Sequence, residues 1–118
     1  MIALLLAPTT LAAMSNTLYS TFASCTGRMS AEMEHAWLMH DPHAEEHEFR
    51  RAQFVDLLDA VVPDHLKRRA LVLRIDAKHA HARLLTQATF SDDTVLAKWA
   101  SKRAKAEILL CASLLLDS

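Results

Sequence analysis

The sequence predicts an all-α fold, a single-domain antiparallel four-helix bundle in up-down-up-down order. The chain of 118 residues has one glycine and three prolines, which is too little turn chemistry for a multi-stranded sandwich or barrel. Hydrophobic residues make up 52% of the chain and charged residues 23%, a balance typical of a folded domain. Apolar residues recur at helical spacing in four segments, and short polar turns separate the segments.

The first helix is predicted over residues 10–40. Gly27 lies inside it, where a glycine costs about 1 kcal/mol relative to alanine. We therefore expect a kink or a break into two helices at Gly27. The helix is predicted from an apolar stripe with three- and four-residue spacing, which consists of Leu11, Met14, Leu18, Phe22, Cys25, Met29, Met33 and Ala36.

Two similar start signals predict the second and third helices. Asp41 is a preferred N-cap and Pro42 a preferred first helical residue, so the second helix is predicted to begin there and to end near Val61. Pro63 and Asp64 open the third helix in the same manner.

The third helix is predicted to end near Phe90, and Ser91, which Asp92 and Asp93 follow, is predicted to cap a fourth helix that runs to the C-terminus. Short links between long helices favour antiparallel neighbours. The stripe of the third helix that is expected to face the core consists of Leu66, Leu71, Val72, Ile75, His79, Ala82, Leu85 and Thr86.

The two cysteines are predicted to form a disulfide. In the up-down layout, Cys25 and Cys111 lie at nearly the same level of the first and fourth helices. Their offset along the helices is about 6 Å at 1.5 Å per residue, which small adjustments bring within the reach of a disulfide. In a reducing cytosol, the alternative, both thiols would be small buried hydrophobes.

The N-terminal segment, residues 1–12, resembles the later part of a secretory signal. A leucine-rich run is followed by small residues, with Thr10 and Ala12 suited to the −3 and −1 positions of a cleavage site. The alternative is an apolar first turn that packs on the bundle formed by residues 13–118. The apolar run is too short to span a bilayer, which needs about 20 residues. With the predicted disulfide, this segment favours a periplasmic or secreted protein, with the cytoplasm as the alternative.

Histidines gather where the first helix gives way to the second. His43 and His47 are four residues apart and share one helical face, with His40 and Glu46 as further ligands. Imidazoles at this spacing bind divalent transition metals such as zinc or copper. The sequence therefore predicts, as an alternative function, a metal-binding bundle with a zinc, copper or iron cofactor at this junction.

A buried polar layer is predicted between the first and third helices. It would contain Arg28, Glu32, His79 and Arg83, because buried charges need partners. Glu32 and His35 have the carboxylate–x–x–histidine spacing of di-iron bundles, and Asp76 and His79 repeat it. A di-iron centre is the alternative interpretation of this layer.

Charge is unevenly distributed along the chain. Residues 1–63 carry three basic and eight acidic side chains, whereas residues 64–118 carry ten basic and six acidic ones. No aromatic residues interleave with the basic ones to stack bases, so nucleic acid is not the expected partner. Binding of nucleic acid or another anion by the basic face of the third and fourth helices is the second alternative function. The expected function is a non-enzymatic binding or interaction role, in which the acidic and basic faces meet within the molecule, across a homodimer or with a protein partner. We assign no catalytic residue.

Overall fold

The computed structural model describes the backbone of residues 11–116 and the side chains of residues 17–115. This part of the chain is helical and contains no strand, so the all-α prediction is confirmed. The principal dimensions of the molecule are 62 × 32 × 27 Å. The elements are α1 (Leu11–Leu38), α2 (Ala44–Val61), a single 3₁₀ turn (Asp64–Leu66), α3 (Lys67–Phe90) and α4 (Thr94–Leu116). Of the predicted leader segment 1–12, residues 1–10 lie outside the described residues, and Leu11 and Ala12 belong to α1.

The helices begin close to the predicted caps. Asp93 Oδ1 accepts hydrogen bonds from the backbone N–H groups of Val95 and Leu96, so α4 is capped two residues later than predicted, at Asp93 instead of Ser91. Helix α2 begins two residues later than predicted, at Ala44. Asp41 still stabilises this start, because its Oδ1 accepts a 2.9 Å hydrogen bond from the backbone N–H of His43.

Helix α1 is the central element of the fold. It packs along both α2 and α3, while α4 packs mainly on α3 and meets α1 over a shorter stretch. Phe22 lies against Phe54 with ring centroids 6.2 Å apart, and further along Arg51 Nε donates to Ser30 Oγ. These contacts fit an up-down order, since residue numbers rise along α1 as they fall along α2. The main buried cluster consists of Tyr19, Phe22, Ala23, Cys25, Met29, Phe54, Leu58, Ala70 and Cys111.

Gly27 does not break α1, so the expected division into two helices is wrong. The helix is continuous through Gly27, which is buried at the crossing with α3. A Cβ atom placed there would overlap the carbonyl oxygen of Arg74 and lie 2.8 Å from the backbone nitrogen of Lys78. The missing side chain therefore allows the backbones of α1 and α3 to approach closely.

The exposed face of α3 also differs from the prediction. Leu71, Val72 and Ile75, which were expected to face the core, are exposed. Leu85, also expected in the core, is buried, but Ala70 and His81, which were not expected there, are buried with it. The physical reason is the close crossing at Gly27, because large side chains on that face would hold the two helices apart. No helix in the described part of the chain is long and apolar enough to cross a membrane.

Candidate functional site

A half-buried carboxylate joins two imidazoles between α1, α2 and α3. Glu32 Oε1 lies 2.9 Å from Nε2 of His81, whose side chain is only 1% exposed. The other oxygen of Glu32 lies 3.9 Å from Nε2 of His47. The Nδ1 atom of His47 is buried and has no hydrogen-bond partner within the described residues.

The predicted buried polar layer therefore needs correction. Glu32 does lie at the α1–α3 seam, but its partner is His81, while His79 and Arg83 are exposed. The error is one of helical phase, since the large apolar residues of α3 lie on the outside. Arg28 is part of a different cluster with α4. His81 shares a helical face with buried Ala70 and Leu85, which lie eleven residues before it and four residues after it.

Arg28 connects α1 to α4 through one carboxylate. Its guanidinium lies 3.4 Å from Glu107 Oε2, and Arg103 reaches the other oxygen of Glu107 at 2.8 Å. Arg28 Nη1 also lies 3.8 Å from the sulfur of Cys111. Cys111 is at disulfide-bonding distance from Cys25, with Cα atoms 5.6 Å apart. Both cysteines are buried in the main cluster.

A cleft of about 510 Å³ opens beside this cluster, between α3 and α4. Arg28, Glu107 and His81 belong to its lining, and Arg83 and Arg103 bring two further guanidiniums to it. Leu84, Leu96 and Trp99 form the apolar part of the lining. The cleft thus combines three cationic side chains and one carboxylate with an aliphatic and aromatic surface.

Arg83 is the unpaired cation of the cleft. Arg28 and Arg103 share Glu107, whereas Arg83 is exposed and makes no ion pair with any residue in the range 17–115. A guanidinium carries its charge at every physiological pH and binds planar carboxylates with two parallel hydrogen bonds. The cleft can therefore bind an anion through Arg83 without first breaking an internal ion pair.

The four residues of the predicted metal site do not converge. His43 Nδ1 contacts Asp41 Oδ1 at 2.8 Å, while Glu46 forms a 2.8 Å ion pair with Arg50. His47 turns to Glu32, and exposed His40 has a left-handed backbone with φ of 52° at the end of α1. Among the described residues, no three histidine, cysteine, aspartate or glutamate side chains are grouped so that they could bind a metal ion.

The basic residues of the second half of the chain are distributed over several faces. Lys78 forms a 2.8 Å ion pair with Glu34 of α1, and Arg103 is paired within α4. Arg74 lies beside Arg51 at the α2–α3 seam, where burial, and then the neighbouring charge of Arg51, lowers its pKa. Of the pairs named here, Lys78–Glu34 joins the basic half of the chain to the acidic half.

Comparison with other proteins adds no family to this geometry. The chain matches no protein-family model, no curated protein and no solved structure.

Proposed function

We propose that this chain is a non-enzymatic binding protein whose ligand is a small organic anion with an apolar body. The observation that carries the proposal is the α3–α4 cleft, in which unpaired Arg83 lies beside an apolar lining. This interpretation retains the binding role expected from the sequence and gives the basic face of α3 and α4 a small anion, rather than a nucleic acid, as its ligand.

The size of the cleft supports a small molecule. Its volume of about 510 Å³ lies within the roughly 300–1,000 Å³ range of ligand pockets. The indole of Trp99 is 55% exposed and offers a flat apolar surface. A medium-chain or aromatic carboxylate fits this combination, since its carboxylate can bind Arg83 while its hydrocarbon part contacts Leu84, Leu96 and Trp99.

The state of the polar groups supports binding rather than catalysis. Glu107 is engaged by two arginines, and His81 by Glu32. The charged side chain of the cleft that makes no ion pair within residues 17–115 is Arg83. Its guanidinium attracts anions but does not exchange protons near neutral pH.

Trp99 makes a direct test practical. Trp37 lies on α1 outside the cleft lining, so a Trp37→Phe background leaves the indole of Trp99 as the sole tryptophan reporter. We expect decanoate to change its fluorescence saturably, whereas decyltrimethylammonium, with the same chain length and a positive head, does not. Equal responses to both probes would contradict the proposal, because they would report apolar contact without charge recognition.

A matched pair of arginine variants locates the anion. Arg83→Gln removes the unpaired cation of the cleft and should raise the Kd for decanoate about tenfold, equivalent to about 1.4 kcal/mol. Arg68→Gln removes the same charge from an exposed position of α3 outside the cleft and should leave the Kd within about twofold. If both variants weaken binding equally, the anion responds only to overall charge.

We also propose that the protein is exported to the periplasm or secreted and that Cys25 and Cys111 are joined there. The chain-entropy contribution of a bridge over this separation is about 4–5 kcal/mol, and burial of both sulfurs shields the bond from reductants. Mass spectrometry after alkylation without reduction tests the bond: protein from its native cells should take up no alkyl group until it is reduced. Two alkylated thiols before reduction would contradict it.

The up-down-up-down arrangement is part of the same proposal. Opposed numbering across the α1–α2 and α1–α4 contacts supports it, as do the short links between the helices. Paramagnetic relaxation from a spin label at exposed Ser113 tests it, since the label should broaden amide signals near residue 25 and leave those near residue 40 sharp. Broadening near residue 40 instead would contradict the arrangement.

A further inference from the structure

We propose that two copies of this chain form a two-fold symmetric homodimer through the groove between α2 and α4. This groove lies on the side of α4 away from the α3–α4 cleft. It contains Phe49 of α2 and Ile108, Leu109, Ala112 and Leu115 of α4. The inference is independent of the ligand proposed above.

The groove exposes large apolar side chains. Phe49 is 66% exposed and Leu109 is 69% exposed. Phe49 lines one of two neighbouring cavities of this groove, and Leu109 lines the other. Single exposed apolar residues are common on protein surfaces, but a continuous apolar strip along a groove marks an interaction site. Burial of these side chains would stabilise an association.

The two rims of the groove carry opposite charges. On α2, exposed Glu45 and Asp56 flank Phe49, at helical spacings of four and seven residues. On α4, Lys98, Lys102 and Lys105 precede Leu109 on one stripe and are exposed. None of these five charged residues makes an ion pair with another residue in the range 17–115.

Glu45 and the lysines of α4 lie at comparable heights along the molecule. His47 of α2 and Lys105 of α4 line the same small cavity, so the acidic start of α2 is level with the basic part of α4. A two-fold axis parallel to the helices places α2 of one copy opposite α4 of the other at the same height. Glu45 of each copy then meets Lys102 and Lys105 of the other, so the charge match occurs twice, as an isologous interface requires.

The available face is large enough for such an interface. A standard interface uses about 800 Å² of each partner, and the long face of this molecule extends over 62 Å by about 30 Å. A second copy fits better than an unrelated partner, because this one surface carries both halves of the charge match. A purely acidic or purely basic partner would satisfy one rim and be repelled by the other.

Sedimentation velocity on the full chain, over a range of concentrations, tests the proposal. Wild-type protein should sediment at twice the chain mass of 13.2 kDa. Leu109→Gln should shift the dissociation constant upward at least tenfold. Leu110→Gln is the matched control, since Leu110 is 66% exposed on the same helix but lies outside the groove lining. A wild-type monomer at all concentrations, or equal effects of the two variants, would overturn the proposal.

A charge exchange tests the symmetry. Lys102→Glu with Lys105→Glu makes both rims acidic at this height, and Glu45→Lys makes both rims basic there. Each variant alone should be monomeric, while a mixture of the two should form a heterodimer, because each rim then meets its opposite. Circular dichroism establishes that each variant is folded. A mixture that stays monomeric while wild type dimerises would overturn the two-fold arrangement.

Discussion

The two long seams of α1 are built on opposite principles. The α1–α2 seam contains large side chains, with Phe22 and Met29 of α1 and Phe54 and Leu58 of α2 in one buried cluster. The α1–α3 seam contains Gly27 and small residues, and there the backbones approach so closely that a Cβ at residue 27 would overlap α3. One helix thus forms a thick apolar layer on one side and a thin one on the other.

The difference shows that burial in this protein does not follow side-chain size. Where the layer is thin, polar contacts such as Glu32–His81 and Glu34–Lys78 join the helices, and Leu71, Val72 and Ile75 of α3 lie outside. The α1–α2 seam is stabilised by large side chains that fill it, whereas the α1–α3 seam is stabilised by the close approach that a missing side chain allows. Removing atoms should therefore destabilise the first seam, and adding atoms should destabilise the second.

The largest effect is expected at the thick seam, from Phe54→Ala. Phe54 is fully buried in the main cluster, and removal of its ring should lower the free energy of unfolding by about 4 kcal/mol through lost burial and the cavity left behind. Urea denaturation followed by circular dichroism measures the change. Phe90→Ala, which removes a largely exposed ring, should cost no more than about 0.5 kcal/mol. Similar losses in both variants would mean that the cluster around Phe54 is not closely packed.

At the thin seam, the addition of one methyl group should be destabilising. Gly27→Ala ought to stabilise an ordinary helix by about 1 kcal/mol. Here the new Cβ would meet the backbone of α3, and such overpacking should cost about 3 kcal/mol. A decrease in the free energy of unfolding would therefore support the close crossing of α1 and α3. A more stable Gly27→Ala variant would show that α1 and α3 do not cross closely at this point.

These seams also mark what the sequence could predict. The helical class and the proximity of Cys25 to Cys111 depend on local spacing and element length, which can be read directly from the sequence. The starts of α2 and α4 were predicted to within two residues, although His43 and Asp93 are the N-terminal caps where Asp41 and Ser91 were expected. The inner face of α3 depends on the distance between two helices. Hydrophobic periodicity ranks leucine above alanine, so it selected Leu71 and Ile75 and missed the face that fits Gly27.

The candidate site was predictable only in part for the same reason. Glu32 was found because a carboxylate on an apolar stripe requires a partner. That partner was assigned to His79 instead of His81, which follows from the error in the phase of α3. The predicted metal cluster failed to converge because α2 turns His47 toward α1, while His43 stays with Asp41 in the loop. The ligand cleft combines Arg83 with Trp99 and so depends on tertiary packing.

The polar contact across the thin seam gives a smaller effect. Glu32→Ala removes the hydrogen-bond partner of buried His81, and an unsatisfied buried polar group should cost about 2 kcal/mol. Glu34→Ala, two residues further along α1, breaks only the partly exposed ion pair with Lys78 and should cost less than about 1 kcal/mol. Thermal unfolding of the two variants side by side measures the difference. Equal costs would indicate that His81 finds another partner when Glu32 is absent.

The smallest effect concerns the loop that leads from α1 to the thick seam. Hydrogen bonds from the backbone N–H and ring of His43 lower the pKa of Asp41 from its ordinary 3.8. Because the folded pKa is depressed, the ionised carboxylate stabilises the fold above about pH 4, and this contribution is lost as pH falls through the folded pKa. Asp41→Asn should therefore be less stable than wild type at pH 6, with the gap closing toward pH 3 in urea titrations. Asp92→Asn, in the loop between α3 and α4, is the control and should give no comparable pH-dependent gap. A gap for Asp41→Asn that stays constant with pH would show that the amide accepts these hydrogen bonds as well as the carboxylate does, and that the start of α2 depends on loop geometry rather than on charge.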